Sequence, residues 1–274
     1  MNTNIVKPTV PLNLSPLPPQ RAINRFAACQ SFITLFVALL ASLITVSVSA
    51  QTNPQPSFLT NGLVAYYPFN GNANDASGNG RHGTQLLGNF ITNRFGNSAS
   101  AFEIPAGNSG WNWGVDSGIS DNFSDSVTLA LWFKTLEGGI LITHGTAGYI
   151  DPYISVSNDQ LFFRASAPEN GLDYRDISIT DGKWHSVVAT ISGTTDHLYF
   201  DGRLVATGNN PTPASSGTWK LGPASSGYDD VRIYNRALSS NEVAQLYAYE
   251  SQPQSAWIVV QISPTFQNPV WTSV

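Results

Sequence analysis

Charge is scarce in this chain. Asp, Glu, Lys and Arg make up 11% of its 274 residues, against about 25% in ordinary soluble domains. So little charge, beside many Gly, Asn, Ser and Thr residues, suits strands and turns and argues against long solvated helices. Cysteine is scarcer still. Cys29 is the single one and precedes the longest apolar stretch, so no disulfide is expected within the folded part; a core of this size can do without one. Positive charge is short as well, with 13 Lys and Arg against 18 Asp and Glu, a net charge of −5. The first fifty residues hold Lys7, Arg21 and Arg25 and no acid, so the remainder carries 10 basic against 18 acidic residues, or −8. That balance argues against a nucleic-acid partner, which would require a basic patch. It is compatible with a divalent cation or a neutral ligand.

The long apolar run runs from Ser31 to Ala50, twenty residues without a charge, and follows two arginines. Val48-Ser49-Ala50 is a small-residue cleavage site, so residues 1–50 read as a secretory signal peptide with a long n-region. A second reading stays open, an uncleaved anchor, because about 20 apolar residues can span a bilayer. The expected location is secreted or extracellular, with tethering to a membrane by residues 31–50 as the alternative. Residues 51–59 then form a linker, residues 60–249 one folded domain, and residues 250–274 a Gln-, Ser- and Pro-rich tail with room for one extra strand at Trp257–Ile262.

Between the linker and the tail, short apolar or alternating runs are separated by Gly, Asn, Asp and Ser clusters, the pattern of an antiparallel sandwich. In Val127–Lys134 the residues Val127, Leu129, Leu131 and Phe133 share one face. Strands are likewise expected at Leu63–Phe69, Ser100–Ile104, Gly139–His144, Tyr149–Val156, Leu161–Ala165, Trp184–Ile191, His197–Phe200, Arg203–Thr207, Trp219–Leu221 and Tyr228–Tyr234. Asp201-Gly202 between two such runs predicts a hairpin. One helix is expected. Ser239 and Glu242 form a capping box, and Leu238, Val243, Leu246 and Tyr247 supply an apolar stripe for packing on the sandwich edge.

Five segments in order resemble the LamG-like jellyroll family, also called the concanavalin A-like or pentraxin-like superfamily. They are Gly62–Thr84, Phe95–Phe102, Phe123–Phe133, Lys183–Gly208 and Tyr228–Tyr247. The resemblance covers roughly residues 60–249. It implies an all-β, two-sheet antiparallel jellyroll sandwich with one short C-terminal helix. It does not imply a particular function, since this fold carries many unrelated ones. Two departures stand out: the family's frequent cysteines near the closing segments are missing, and the stretch between Gly222 and Tyr228 is short.

Catalytic machinery is not evident. Glycoside hydrolysis requires two carboxyl groups across the scissile bond, and laminarinase-type relatives carry theirs as Glu-x-Asp-x-x-Glu. The five glutamates here (Glu103, Glu137, Glu169, Glu242 and Glu250) show no such spacing. The four histidines lack metal-ligand spacing, and neither a Gly-x-Ser-x-Gly elbow nor a phosphate loop occurs. No enzyme is expected. His82 ends the first Asn/Gly loop and is expected to cap that turn.

Two sites are expected instead. The loop Asn70–Gly80 is rich in the oxygen donors that calcium prefers, with Asp75 as its one full charge. If first and last strands pair antiparallel, Asp75 would converge with Asp229 and Asp230 on a structural calcium ion. The resemblance points the same way, because laminarinase-type relatives bind calcium through the first Asp of a strand like Asp229–Tyr234. Against this stands a purely structural role, with Asp75 in an Asx-turn and Asp230 paired with Arg232 or Arg236. The second site is the Gly-rich loop Gly107–Gly118, whose Trp111, Trp113 and Asp116 would present flat apolar faces and a carboxylate to a ligand. The expected partner is a glycan or an extracellular protein. Function classes in view are a carbohydrate-binding module, a structural or adhesive protein–protein domain and, last, a glycoside hydrolase.

Overall fold

The structure is a computed structural model that describes residues 44–51, 55–84, 87–105, 114–120, 126–145, 152–165, 171–175, 179–209, 217–253 and 257–264. Residues 1–43, with Cys29 and most of the expected leader, lie outside the described residues. In chain order the first strands are β1 (Ile44–Gln51), β2 (Leu63–Tyr67), β3 (Asn89–Ile91), β4 (Ala101–Glu103), β5 (Val115–Asp116), β6 (Ser126–Thr135), β7 (Gly139–Gly145) and β8 (Tyr153–Ser157). They are followed by β9 (Gln160–Arg164), β10 (Gly171–Tyr174), β11 (His185–Ser192), β12 (Thr195–Phe200), β13 (Arg203–Asn209), β14 (Thr218–Leu221) and β15 (Ser226–Tyr234). Helix α1 (Ser240–Glu250) and strand β16 (Trp257–Pro264) close the order.

The described residues fall into two units. One contains the antiparallel ladder of β1 and β16, in register from Ile44 opposite Pro264 to Gln51 opposite Trp257. The other, within Asn53–Ser255, is a sandwich of two antiparallel sheets. Its six-stranded sheet runs β10-β9-β8-β7-β14-β5. Its eight-stranded sheet runs β13-β12-β11-β6-β15-β4-β3, with β2 also pairing β15. The two-sheet antiparallel jellyroll with one short helix is therefore the observed architecture.

Alternation explains which faces meet. Val127, Leu129, Leu131 and Phe133 on β6 enter the main core between the sheets, with Leu141 and Ile142 of β7 and Ile154 and Val156 of β8. Successive side chains of a strand point to opposite faces, so Ala130 and Trp132 of the same strand face outward. They do not meet water. Helix α1 lies over this outer face, and Ala130, Val188, Tyr199, Tyr234, Leu238, Val243 and Leu246 form a second cluster. The helix thus packs on a sheet face, where the expectation had placed it on an edge. The outer faces of β6, β11 and β15 carry apolar side chains that require a cover, and burying each of Val243 and Leu246 contributes about 1.5–3 kcal/mol relative to exposure. Phe58 and Leu59, in the segment read as a linker, are buried in the same cluster.

Local chemistry sets the boundaries of these elements. The Ser239 hydroxyl accepts from the Glu242 N–H and the Glu242 carboxylate accepts from the Ser239 N–H, which is the expected capping box. Between β12 and β13, Asp201 and Gly202 adopt φ of 46° and 76°, as a type I′ hairpin requires. A side chain at Gly202 would also meet the Tyr247 ring at 2.7 Å, so the turn lies tight against the helix.

Candidate functional site

Strand β15 changes partner halfway along. Its first half pairs with β4, Gly227 opposite Glu103 and Tyr228 opposite Phe102. Its second half pairs with β2, from Val231 opposite Tyr67 to Tyr234 opposite Leu63. Asp229 and Asp230 occupy the junction. On the other side β6 pairs through, but the register shifts between Asp229 opposite Trp132 and Arg232 opposite Ala130. The extra residue is a β-bulge, a feature that re-aims side chains. Asp230 takes it up with a left-handed φ of 46°, a conformation that Asp tolerates better than most residues.

Both carboxylates are drawn to Arg94, which stands in a tight turn after β3. Asn93 holds that turn, its side-chain oxygen accepting from the N–H groups of Phe95 and Asn97, each at 3.0 Å. Arg94 Nη1 pairs with Asp229 Oδ2, and Nη2 pairs with Asp230 Oδ2 at 2.5 Å. Nε and Nη2 also donate to the Glu250 carbonyl at 3.2 and 2.8 Å. The guanidinium lies 4.4 Å from the Trp132 ring centre and 4.5 Å from that of Phe95. Burial opposes the charge of Arg94, but Asp230 and Asp229 outweigh it and hold its pKa above the ordinary value.

A second guanidinium joins the network. Arg232 Nε donates to Glu250 Oε1 at 2.7 Å and its head lies 3.5 Å from the Tyr66 ring centre. Trp132 Nε1 donates to the other Glu250 oxygen at 2.9 Å, and the Tyr66 hydroxyl donates to Asp230 Oδ1 at 2.5 Å. The carboxylates of Asp229, Asp230 and Glu250 thus face the guanidiniums of Arg94 and Arg232. Burial raises the Asp229 pKa, the neighbouring Asp230 raises it further, and Arg94 only partly offsets both. Burial likewise raises that of Glu250, against the pull of Arg232.

Asp75 is used elsewhere. Its Oδ1 accepts from the Tyr66 and Ser77 N–H groups at 3.0 and 2.9 Å, and its Oδ2 accepts from the Ser77 hydroxyl and the Arg81 N–H at 2.8 and 3.0 Å. Burial would raise its pKa, but these donors outweigh burial and lower it. His82 Nδ1 accepts from the Asp75 N–H at 3.1 Å, the expected cap of this turn. First and last strands do pair antiparallel, and Tyr66 reaches Asp75 with its N–H and Asp230 with its hydroxyl. The three carboxylates nevertheless keep separate partners: N–H and O–H donors surround Asp75, and a guanidinium occupies the space between Asp229 and Asp230. Donors and a fixed cation at those oxygens do not fit a calcium ion, which requires several oxygens turned to one point. Among the described residues no group of three or more His, Cys, Asp or Glu side chains is arranged to hold a metal.

A polar pocket of about 480 Å³ opens beside this network, lined by Tyr66, Pro68, Asn70, Asn93, Phe95, Asn97, Asp229, Asp230 and Pro253. A smaller one, about 270 Å³, lies against Tyr66, Asp230, Arg232 and Glu250. A third, about 350 Å³, is lined by Glu103, Lys134 and Glu137 among others. Of the expected rim loop, Trp111 and Trp113 lie outside the described residues. Asp116 belongs to β5, its Oδ1 accepting from the Gly118 N–H at 2.9 Å and its Oδ2 lying 3.7 Å from Lys220 Nζ. Its carboxylate is thereby committed to an Asx-turn and a cross-strand ion pair.

Arg94 and Glu250 are the residues that sequence reasoning missed. The expected partners of Asp230, Arg232 and Arg236, pair instead with Glu250 and Glu242. Nothing in the stretch around Arg94 distinguishes it from an ordinary polar turn. Of the histidines, His185 lies between Asp201 at 3.0 Å and Asp181 at 3.3 Å. Asp201 first, with Asp181, raises its pKa above the ordinary value against burial. Burial lowers the pKa of His144, which packs on Trp219 at 4.9 Å.

The family model of the concanavalin A-like lectin/glucanases superfamily matches residues 107–244. No curated protein matches the chain at a significant level. Similar solved structures include the binding domain of botulinum neurotoxin DC in complex with rat synaptotagmin II, at 15% identity and a TM-score of 0.55. The same domain in complex with SialylT shows 16% identity and a TM-score of 0.54. A botulinum neurotoxin type C structure, from a toxin whose cell entry depends on interaction with two ganglioside molecules, shows 15% identity and a TM-score of 0.53. Each match covers 69% of this chain. The chain spans about half the length of these structures, 52% of the first two and 51% of the third. At such identities the likeness speaks to fold alone.

Proposed function

We propose that this chain, which belongs to the concanavalin A-like lectin/glucanases superfamily, is an exported binding module that recognises a glycan or glycoprotein and performs no catalysis. The pocket of about 480 Å³ at the β15 bulge carries this reading. Tyr66 and Phe95 line it together with Asn70, Asn93, Asn97 and Asp230. A sugar ring offers an apolar face for the aromatics and hydroxyls for the amides and carboxylate, and binding sites commonly combine apolar walls with a few placed polar groups. Asp230 is already bonded to Tyr66 and Arg94, so its orientation is set before a ligand arrives. Similar toxin domains solved with synaptotagmin II and with SialylT, and one whose cell entry depends on gangliosides, support a binding role. Trp111 and Trp113 in the Gly-rich stretch Gly107–Gly118 are proposed as a second contact surface.

Glycan-array screening of the secreted chain is the test. Binding that is lost in Asn97→Ala and Asn70→Ala, both exposed positions, supports the pocket. Loss on Trp111→Ala alone moves the site to the rim loop. A blank array together with capture of an unglycosylated extracellular protein would replace the glycan reading with an adhesive one. Glu103 and Glu137 line one pocket, so turnover of a β-glucan that is abolished by Glu137→Gln would overturn the absence of catalysis.

A further inference from the structure

We infer that Arg94 is a built-in cation that does, at the β15 bulge, the work a divalent metal would otherwise do. The bulge places Asp229 and Asp230 side by side where β15 passes from β4 to β2. Two adjacent buried carboxylates repel, and something positive has to hold them. A metal would supply that charge and would bind oxygens from several segments at once. Arg94 does both. One nitrogen takes Asp229, another takes Asp230, and two of its N–H groups converge on the backbone carbonyl of Glu250 at the end of α1. One side chain thereby ties the turn after β3, the β15 bulge and the helix C-terminus together.

The surroundings suit a guanidinium and not an ion. Its flat faces are covered by Trp132 and Phe95, a stacking that a planar delocalised cation gains from and a hydrated metal does not. Its side chain is 5% exposed, against 3% for Asp229 and 12% for Asp230. A tethered cation of this kind cannot be exchanged or chelated. The sandwich, and the pocket whose wall the two carboxylates form, should therefore be indifferent to calcium. Removal of the guanidinium would leave Asp229, Asp230 and the Glu250 carbonyl as three oxygens around a vacated cation position.

Thermal melts of the full chain in calcium and in EDTA test this, and the readout does not depend on any ligand of the pocket. The parent should melt at the same temperature in both. Arg94→Ala should melt lower in EDTA by roughly 10 °C, the size expected when one partner of a buried charge pair is removed from a domain of this length. Calcium should then raise the variant's midpoint by several degrees, and calorimetry should detect calcium binding in the variant but not in the parent. Should Arg94→Ala fail to accumulate, Arg94→Met provides the same comparison, because it keeps an apolar side chain against Trp132 and Phe95 and removes the charge. Stabilisation of the parent by calcium would overturn the inference, as would a variant that melts early yet ignores calcium. Failure of the pocket to bind glycans would leave these results unaffected, so the two proposals stand or fall separately.

Discussion

Asp75 and the Asp229–Asp230 pair are both nearly buried acids near the same aromatic strand, and they are stabilised in opposite ways. Tyr66, Ser77 and Arg81, which donate to the Asp75 carboxylate, all lie within nine residues of it. The pair at the bulge depends on Arg94, 135 residues from Asp229 and 136 from Asp230. The short-range site uses backbone N–H groups that the loop must orient in any case. The long-range site uses whole charges, and it exists only once the turn after β3, the β15 bulge and the end of α1 have come together. A local acid can be a turn residue; a distant one becomes a keystone.

The contrast can be broken most severely at Glu250, which anchors the long-range side. Glu250→Ala removes the acceptor of both Arg232 Nε and Trp132 Nε1 and leaves a buried guanidinium without its carboxylate. The expected loss is about 3–5 kcal/mol, read as a fall in the urea midpoint at unchanged m-value. A loss below about 1 kcal/mol would mean that the network contributes little net stability, as some buried ion pairs do.

Asp75→Ala tests the short-range side. Three backbone N–H groups and one hydroxyl lose their acceptor, and water can reach part of the loop to replace it. The expected cost is about 1–3 kcal/mol. Amide exchange should speed up at Tyr66, Ser77 and Arg81 and remain slow across β15. Acceleration spreading to Asp229 and Arg232 would show that Tyr66 couples the two sites more tightly than their separate partners imply.

A smaller effect is expected at the helix start, where contacts span only three residues. Ser239→Ala should cost about 1 kcal/mol, measured by the same denaturation. Glu242 stabilises the same turn, and Arg236, with the Ser239 donors, lowers its pKa to about 2. The smallest expected effect is a pH dependence at His185. Its folded pKa is raised, so its contribution is fully present below the unfolded value of about 6.5 and is lost as pH rises through the folded pKa. Asp201→Asn should flatten that slope by roughly 1 kcal/mol or less across this interval. An unchanged slope would assign the dependence to another group.

Much of the sandwich was legible residue by residue. The alternation in Val127–Lys134 named the four side chains of β6 that enter the core, and Asp201-Gly202 named its turn. Within the sandwich, β3, β5 and β10 have two to four residues each, too few for a periodic pattern to emerge; outside it, the eight residues of β1 fall largely in the stretch read as a leader. Asn158-Asp159 is a second turn of the same kind, with both residues at positive φ; the Asn/Asp pair was its available signal. The site was less legible. Asp229 and Asp230 stand out in the sequence as adjacent charges, but no residue near them in the chain points to Arg94 as the cation they meet.

Where strands alternate, where the chain turns and where the helix starts can be read from the order of residues, because each depends on side chains and backbone groups a few residues apart. The same order of residues places two carboxylates side by side in the last sandwich strand, where the structure puts them midway along β15. What holds them is set by the fold. The transfer of β15 from β4 to β2 opens a gap in the ladder, the turn after β3 delivers Arg94 into it, and α1 closes over it with Glu250. Which charge meets which is set by that convergence, since Coulomb attraction in a buried site depends on distance in space and burial, neither of which is written in the order of the residues.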